Sequence, residues 1–192
     1  GDRRRRDREA VDVALDVLNA LVAIHPDTER LAALDEKKGQ GGLTPAEYEE
    51  MMAMNDGALV HRDIKPHNII LTRTGAVLLD FNIASRVGDP VMTVSGTPPY
   101  QPPDADLTRW DVSTDLFAVG VTLYELLCDG AHPYFEARPA LSEGVRDPHE
   151  FRPDLPDALA GFLARACAPS RGDRFLTAIS MREALVEARE SL

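Results

Sequence analysis

The spacing of apolar residues predicts helices near both ends of the chain. Residues 8–25 carry apolar side chains at three- and four-residue steps, which is typical of an amphipathic helix, and Pro26 ends it. The same periodicity predicts helices over 114–127, at about 156–168 and at about 176–190. Helices therefore account for most of the regular structure that the pattern predicts.

Between these helices, short apolar runs at 58–60, 68–71 and 76–79 predict small strands. A Thr-Gly pair at 74–75 supplies a turn, so the last two strands are expected to form a β-hairpin. Residues 82–108 are rich in proline and lack periodicity, which indicates an extended loop. The predicted fold class is mainly α with small β hairpins.

Residues 26–56 differ in composition from the rest of the chain, being rich in Glu, Met, Ala and Gly. A short helix is predicted over 29–38, and a second one begins at the capping box of residues 44–47 and runs to about Met54. We interpret 26–56 as a helical hairpin inserted into a single domain of residues 1–192. It is either an exposed spacer or a docking element for a partner.

Composition and charge argue against some classes of binding partner. The 192 residues suffice for one well-buried core, and the net charge of −11 argues against nucleic acid, whose phosphates require clustered Lys and Arg. No apolar run reaches the roughly 18 residues of a membrane span, so no membrane partner is expected. The two cysteines form no metal-binding pattern and favour a reducing compartment, so we expect a cytoplasmic protein.

Four polar residues follow one another closely in the strand region. Asp63 can act as a base, Lys65 is a compact cation, and Asn68 and Asp80 offer amide and carboxylate oxygens. Phosphoryl transfer requires an aimed hydroxyl and a magnesium ion that bridges the phosphates, and Mg²⁺ prefers hard oxygen ligands. This set of groups suits that chemistry.

The segments HRDIKPHN at 61–68 and DFN at 80–82 resemble the H-R-D-x-x-x-x-N catalytic loop and the D-F-G motif of eukaryotic-type serine/threonine protein kinases, as found in bacteria. The resemblance implies that Asp63 accepts the substrate hydroxyl proton and that Lys65 steadies the transferring phosphoryl group. It further implies ATP and Mg²⁺ as cofactors, with Asn68 and Asp80 as metal ligands. Ile70 would form the apolar floor beneath the adenine.

Later segments extend the resemblance to about residues 8–25 and 57–190. The run SGTPPYQPPD at 95–104 is similar to the G-T-x-x-Y-x-A-P-E segment that closes the activation loop, and Thr97 is implied to hydrogen-bond with Asp63 and Lys65. DLFAVG at 115–120 resembles the start of a long buried helix, whose Asp115 would accept hydrogen bonds from the backbone of 61–62. Arg174 is implied to pair with Asp104.

Three departures from the family pattern accompany these matches. Asn82 replaces the glycine of D-F-G, and Asp104 replaces a glutamate. No glycine-rich loop or V-A-I-K strand precedes His61, so the resemblance implies the C-lobe of a kinase with the N-lobe absent from this chain. We expect the N-lobe to lie upstream in a longer protein, and the isolated chain to bind ATP weakly and transfer phosphate poorly.

The leading hypothesis is the catalytic lobe of a serine/threonine protein kinase, whose partners are protein substrates and the upstream N-lobe. One alternative is a pseudokinase that serves as a binding scaffold, although a scaffold has no use for the metal ligands. Another is a small-molecule phosphotransferase of related fold, although such enzymes lack Lys65 and the segment at 97–104. The resemblance also implies control by a phosphate on the loop, with Thr93 preferred over Ser95 as its site.

Overall fold

The computed structural model of the chain describes residues 2–81, 84–86, 96–105 and 111–192. The helices within these residues are α1 (Asp2–Ile24), α2 (Thr28–Gly39), α3 (Pro45–Gly57), α4 (Ser113–Leu127), α5 (Asp157–Ala166) and α6 (Ala178–Arg189). The strands are β1 (Leu59–Val60), β2 (Ile69–Thr72), β3 (Gly75–Leu78) and β4 (Ser85–Arg86). In the described part of the chain no helix is long and apolar enough to cross a bilayer.

The core is built around α4. Nearly every residue of this helix is buried, from Ser113 to Tyr124 without interruption, as expected of a helix that is apolar on all sides. α1 and α5 pack on it, and α6 packs on both of them. At the contact with α5, a Cβ on Gly120 would lie 2.9 Å from the Cβ of Ala166, so glycine allows the two helices to approach closely.

The strands form two small antiparallel pairs, and only one of them is a hairpin. β2 pairs with β3 in the register Ile69↔Leu78 to Thr72↔Gly75, as the turn at 74–75 predicts. β1 pairs instead with the distant β4, with Val60 opposite Ser85. The prediction of a purely extended loop over 82–108 is therefore wrong at β4 and at the 3-10 turn Pro98–Tyr100. A strand of two residues shows no periodicity, and its partner lies far away in sequence.

The helical hairpin predicted between α1 and the strands is present as α2 and α3. Asp27 caps α2, and α3 begins with the predicted capping box between Thr44 and Glu47. Two ion pairs join the helices, with 2.8 Å between Arg30 Nη2 and Glu50 Oε2 and 2.6 Å between Lys37 Nζ and Glu47 Oε1. We call residues 28–57 the α2–α3 hairpin.

Helix α1 begins six residues before the predicted start, so the arginines at 3–6 are helical. Its buried face packs against α4, α6 and β3. Asp16 Oδ2 accepts a hydrogen bond of 2.8 Å from the backbone N–H of Ala76, which ties the β2–β3 hairpin to the core. The polar loops that carry the candidate site thus rest on a rigid helical base.

Candidate active site

Asp115 holds the backbone that leads into the candidate catalytic residues. This carboxylate lies in the first turn of α4 and is fully buried. Its Oδ2 accepts the N–H of His61 at 2.7 Å, and its Oδ1 accepts the N–H of Arg62 at 2.8 Å, as predicted. Arg62 has a φ of 77°, a left-handed conformation that costs energy for a residue with a side chain. The two hydrogen bonds to Asp115 stabilise the turn at this position.

His25 also contacts this carboxylate, a contact that no motif predicted. Its Nε2 lies 2.9 Å from Asp115 Oδ2, and its side chain is 4% exposed. The available signal was its position in the apolar stripe of the first helix, where a polar side chain needs a buried partner. The partner itself, 90 residues away, could not be read from the pattern.

Asp63 is the centre of a compact hydrogen-bonded cluster. Lys65 Nζ donates to Asp63 Oδ2 and to Thr97 Oγ1, both at 2.8 Å. Thr97 Oγ1 in turn donates to Asp63 Oδ1 at 2.7 Å. Asn68 Nδ2 donates to Asp63 Oδ2 at 3.0 Å and to the Asp63 carbonyl at 2.7 Å. The predicted contacts of Thr97 are confirmed, and four of the predicted site residues meet here.

These contacts govern the ionisation of Asp63. Partial burial by itself raises the pKa of the carboxyl, but the hydrogen bonds from Lys65, Thr97 and Asn68 together outweigh it, so the pKa lies below its usual value. The group is therefore a carboxylate at neutral pH. Because its folded pKa is lowered, the stability that these contacts provide is present at neutral pH and is lost as the pH falls through that pKa.

Asp80 is placed beside this cluster through its neighbour Leu79. The N–H of Leu79 donates to the Asn68 carbonyl at 2.8 Å, and the Leu79 carbonyl accepts a hydrogen bond of 2.9 Å from His61 Nε2. The His61 ring also packs edge-on against Phe81, with 4.7 Å between centroids. Asp80 follows with a φ of 66° and an exposed side chain. The two contacts of Leu79 thus hold the backbone at the point where Asp80 follows.

The donor set at this position fits a magnesium ion. Both hydrogen bonds found for the Asn68 side chain use its nitrogen, so its amide oxygen is the atom that can serve a metal. Asp80 adds a carboxylate on an exposed turn one residue beyond the Asn68–Leu79 backbone contact. An amide oxygen and a carboxylate are hard oxygen ligands of the kind that Mg²⁺ takes in nucleotide sites.

Ile70 lies apart from the hydrogen-bonded cluster, on the outer face of the β2–β3 hairpin. Alternation along β2 turns Ile69 toward the core and leaves Ile70 48% exposed. Leu71, Val77 and Leu79 are exposed as well, at 70%, 45% and 39%. A group of exposed apolar residues beside polar groups is typical of a binding surface. Leu71 follows Ile70 in β2 and so lies on the other side, whereas Val77 is paired with Ile70 and shares its side with Leu79. We call Ile70, Val77 and Leu79 the exposed apolar face.

Residues 96–104, which we call the docking segment, connect the Asp63 cluster to the helices. At its start Gly96 has a φ of 120°, and a Cβ there would lie 2.6 Å from the Gln101 side chain. At its end Asp104 Oδ1 accepts a hydrogen bond of 2.6 Å from Arg174 Nη2, which confirms the predicted pair. Asp104 also accepts the N–H of Arg171, so the shorter acid still reaches this part of the chain.

Three residues singled out in the sequence fall outside the described part of the chain, and one contact of Arg62 was not predicted. Asn82, Thr93 and Ser95 lie outside the part of the chain that the structure describes. The sequence did not predict that Arg62 Nη1 donates to Ser85 Oγ at 2.6 Å. This bond joins the residue before Asp63 to β4, a contact between segments that share no sequence motif.

The segments that carry Asp63, Lys65, Asn68, Thr97 and Asp115 all lie within the part of the chain that matches a known family. Residues 49–174 match the protein kinase domain family. The chain belongs to the protein kinase family. The match begins within α3 and ends at Arg174, so it contains the cluster around Asp63, the docking segment and α4.

Two bacterial relatives illustrate the similarity. The chain is 39% identical over 139 residues to the tyrosine-protein kinase MasK of Myxococcus xanthus, covering 66% of this chain and 21% of that protein. It is 31% identical over 150 residues to the probable serine/threonine-protein kinase PknB of Corynebacterium glutamicum, covering 69% and 23%. The chain therefore spans about a fifth of the length of these relatives.

Solved kinase structures share the fold. The Cydia pomonella granulovirus kinase PK-1 superposes with a TM-score of 0.63 at 19% identity, covering 91% of this chain and 57% of that chain. The ROP18 kinase domain, in complex with AMP-PNP and sucrose, gives a TM-score of 0.55 at 25% identity, covering 74% and 38%. The predicted fold class, the mainly α C-lobe of a kinase with small β pairs, is confirmed.

Proposed function

We propose that this chain is the catalytic lobe of a serine/threonine protein kinase that transfers the γ-phosphoryl group of ATP to serine or threonine hydroxyls. The observation that carries the proposal is the closed set of hydrogen bonds among Asp63, Lys65 and Thr97. This set fixes an ionised carboxylate and a cation side by side where a hydroxyl and a phosphoryl group could meet. One bacterial relative is named a serine/threonine kinase and another a tyrosine kinase. The proposed specificity for serine and threonine therefore rests on Lys65 and Thr97.

In this proposal each side chain of the cluster has one task. Asp63 orients the substrate hydroxyl and receives its proton as the phosphorus–oxygen bond forms. Lys65 offsets the charge of the transferring group, and its bond to Thr97 keeps it from moving toward solvent. The Asn68 amide nitrogen holds Asp63 in position, which leaves the amide oxygen for the metal.

We propose ATP and Mg²⁺ as the cofactors. When bound, Mg²⁺ bridges phosphate oxygens and neutralises the charge that develops during transfer. Asn68 and Asp80 are the residues that would hold it, and Ile70 would contact the adenine from below. The half-exposed Ile70 supports this role, because an apolar side chain on a strand surface gains from contact with a flat ring.

The parent protein and its partners are also proposals. We propose that an N-lobe completes the nucleotide site and covers the exposed apolar face, and that protein substrates bind along the docking segment. We further propose a cytoplasmic location, which the two buried free cysteines support. Burial raises the pKa of the Cys128 thiol to about 12, so the less reactive protonated form persists at neutral pH.

The test is the Asp63→Asn variant in a protein that carries both lobes. Loss of the base should lower kcat by about 10²–10⁴-fold while the Kd of Mg-ATP changes by no more than about twofold. Turnover would be measured on matched peptides that differ only in carrying Ser, Thr or Tyr. Full turnover by Asp63→Asn would refute the assignment, and phosphorylation of the Tyr peptide alone would refute the serine/threonine specificity.

A matched control is Asp129→Asn, which makes the same chemical change at a carboxylate that is 67% exposed and forms a surface ion pair with Arg3. Its kcat should equal that of the parent. If the two variants lose activity equally, the effect of Asp63→Asn is not one of catalysis.

A further inference from the structure

His132 is a buried histidine that neither the sequence nor the cluster around Asp63 accounts for. It follows α4, and 8% of its surface is exposed. Its Nε2 lies 2.9 Å from the carbonyl oxygen of Pro99, and its Nδ1 accepts the N–H of Tyr134 at 3.1 Å. A carbonyl oxygen only accepts hydrogen bonds, so Nε2 must carry the proton. Nδ1 also lies 3.2 Å from the carbonyl oxygen of Tyr134, so it is the contact with Pro99 that assigns a proton to Nε2.

Contacts of Tyr134 and Pro133 hold the loop that carries His132 in place. The Tyr134 hydroxyl donates to the carbonyl of Cys167 at 2.7 Å, and the Tyr134 ring is almost fully buried next to Phe117 of α4. The carbonyl of Pro133 accepts the N–H of Arg146 at 2.9 Å. The imidazole therefore projects from a fixed support toward the docking segment.

Pro99 lies at the centre of the docking segment. Two residues earlier, Thr97 contacts Asp63 and Lys65, and one residue later the Tyr100 hydroxyl donates to Glu125 Oε2 at 2.7 Å. Pro99 has no N–H of its own, so its carbonyl is the only backbone group through which this residue can be held. The bond from His132 thus connects the α4–α5 side of the lobe to a segment that touches the base.

We propose that His132 is a positioning residue that sets the docking segment for the protein substrate and thereby determines the KM for that substrate. The inference rests on the proposed kinase function. His132 touches neither the phosphoryl group nor Asp63, so its effect reaches the substrate through Pro99 and the 3-10 turn Pro98–Tyr100. Nucleotide binding does not depend on it.

The first experiment compares His132→Phe with His132→Gln in a protein that carries both lobes. Phe fills the space but cannot donate to Pro99, whereas the Gln amide nitrogen can replace Nε2 and its oxygen can accept from Tyr134. His132→Phe should raise the KM for a peptide substrate about fivefold to tenfold, with kcat and the KM for ATP changed by no more than about twofold. His132→Gln should restore most of the peptide KM.

The control is His149→Phe, because His149 Nε2 also contacts a backbone carbonyl, that of Leu155 at 3.0 Å, but far from the docking segment in sequence. Its peptide KM should stay that of the parent. An unchanged peptide KM in His132→Phe overturns the proposal. So does a parallel rise in the KM for ATP, since this would show a general structural role.

A second measurement on the chain itself does not require activity. Long-range ¹H–¹⁵N spectra should show the Nε2–H tautomer of His132. The amides of Tyr100 and Gln101, which bond to Thr97 and Pro98, should exchange about tenfold faster in His132→Phe. Failure of every kinase assay would refute the proposed function and leave these two results to decide on His132. An Nδ1–H tautomer or unchanged exchange would overturn the inference.

Discussion

Two carboxylates, Asp115 and Asp104, hold separate segments of this lobe together. Each of them contacts at least one backbone N–H group and a side chain. Asp115 accepts two backbone N–H groups of the catalytic loop, and Asp104 accepts the N–H of Arg171 beside its pair with Arg174. Several hydrogen bonds to a carboxylate offset the free energy of desolvation that its burial costs. The resemblance predicted the contacts of Asp115 with the backbone of 61–62 and of Asp104 with Arg174, because both ends of each contact lie in segments that match the family. It did not predict the contact of Asp104 with Arg171.

Arg174 is the residue whose removal should have the largest effect on stability. Its side chain is 2% exposed and donates to Asp104 and to the carbonyls of Ala168 and Pro169 at 2.7 and 3.0 Å. Arg174→Ala leaves a partly buried carboxylate and two carbonyls without their partner, which should cost about 3–5 kcal/mol. In a chain of this size the melting temperature should fall by roughly 6–20 °C.

The comparison for this prediction is Arg189→Ala, which removes an ion pair with Asp12 whose two side chains are 43% and 51% exposed. Such a surface pair contributes about 0–1 kcal/mol, so the melting temperature should move by no more than roughly 4 °C. Differential scanning calorimetry of both variants measures the two shifts in melting temperature. Equal shifts would show that the Asp104–Arg174 pair is no more important than a surface contact.

At the scale of elements, the α2–α3 hairpin buries apolar residues of its own and contacts β4. Leu34 and Met51 are 1% and 3% exposed, although neither belongs to the main core cluster found among the described residues. α3 packs against β4, and β1 follows α3 directly and pairs with β4. Since Ser85 of β4 binds Arg62, the hairpin adjoins the segment next to the catalytic loop.

We predict that this hairpin supports the β1–β4 pair. Leu34→Ala opens a cavity that should destabilise the hairpin by about 2–5 kcal/mol. Amide hydrogen exchange, read by mass spectrometry, should then rise in residues 28–57 and also at β1 and β4, while α4 to α6 stay protected.

Met52→Ala serves as the control, because Met52 is 49% exposed on α3 and its truncation removes little packing. Its exchange pattern should match that of the parent. If Leu34→Ala loosens the hairpin and leaves β1 and β4 as protected as before, the hairpin is an independent spacer and the prediction is wrong.

At the scale of the whole molecule, the exposed apolar face on the β2–β3 hairpin adjoins the cluster around Asp63, because Leu79 bonds to the backbone of Asn68 and Asn68 bonds to Asp63. A surface of this kind next to a candidate phosphate site is suited to a second lobe that covers the nucleotide. In the proposed function this chain supplies metal ligands and a floor for the adenine, and Lys65 is the one basic side chain among the predicted site residues.

We therefore expect Mg-ATP to bind this chain at least roughly tenfold more weakly than it binds a protein with both lobes, because the lysine–glutamate pair that grips the phosphates belongs to the other lobe. Isothermal titration calorimetry of the two proteins checks this. Asp80→Asn should abolish the Mg²⁺ dependence of whatever binding remains. Equal affinities in the two proteins would show that this lobe binds the nucleotide unaided.

The sequence by itself determined the family, the mainly helical fold and the two helices within 26–56, because these depend on local periodicity and on short ordered motifs. The meeting of Thr97 with Asp63 and Lys65 could be predicted for the same reason. The roles of the site residues stay predictions. The assignment of Ile70, Asn68 and Asp80 to nucleotide and metal stays a prediction, since it concerns groups that bind to the chain.

Only the tertiary structure decided which distant residues meet. The contacts of His25 with Asp115, of His132 with Pro99 and of β1 with β4 each join segments that lie far apart in sequence and share no motif. Such contacts arise because buried polar groups must find partners wherever the packing of the helices brings them together. A pattern along one segment records that a side chain is buried, but the identity of its partner depends on how the other segments pack.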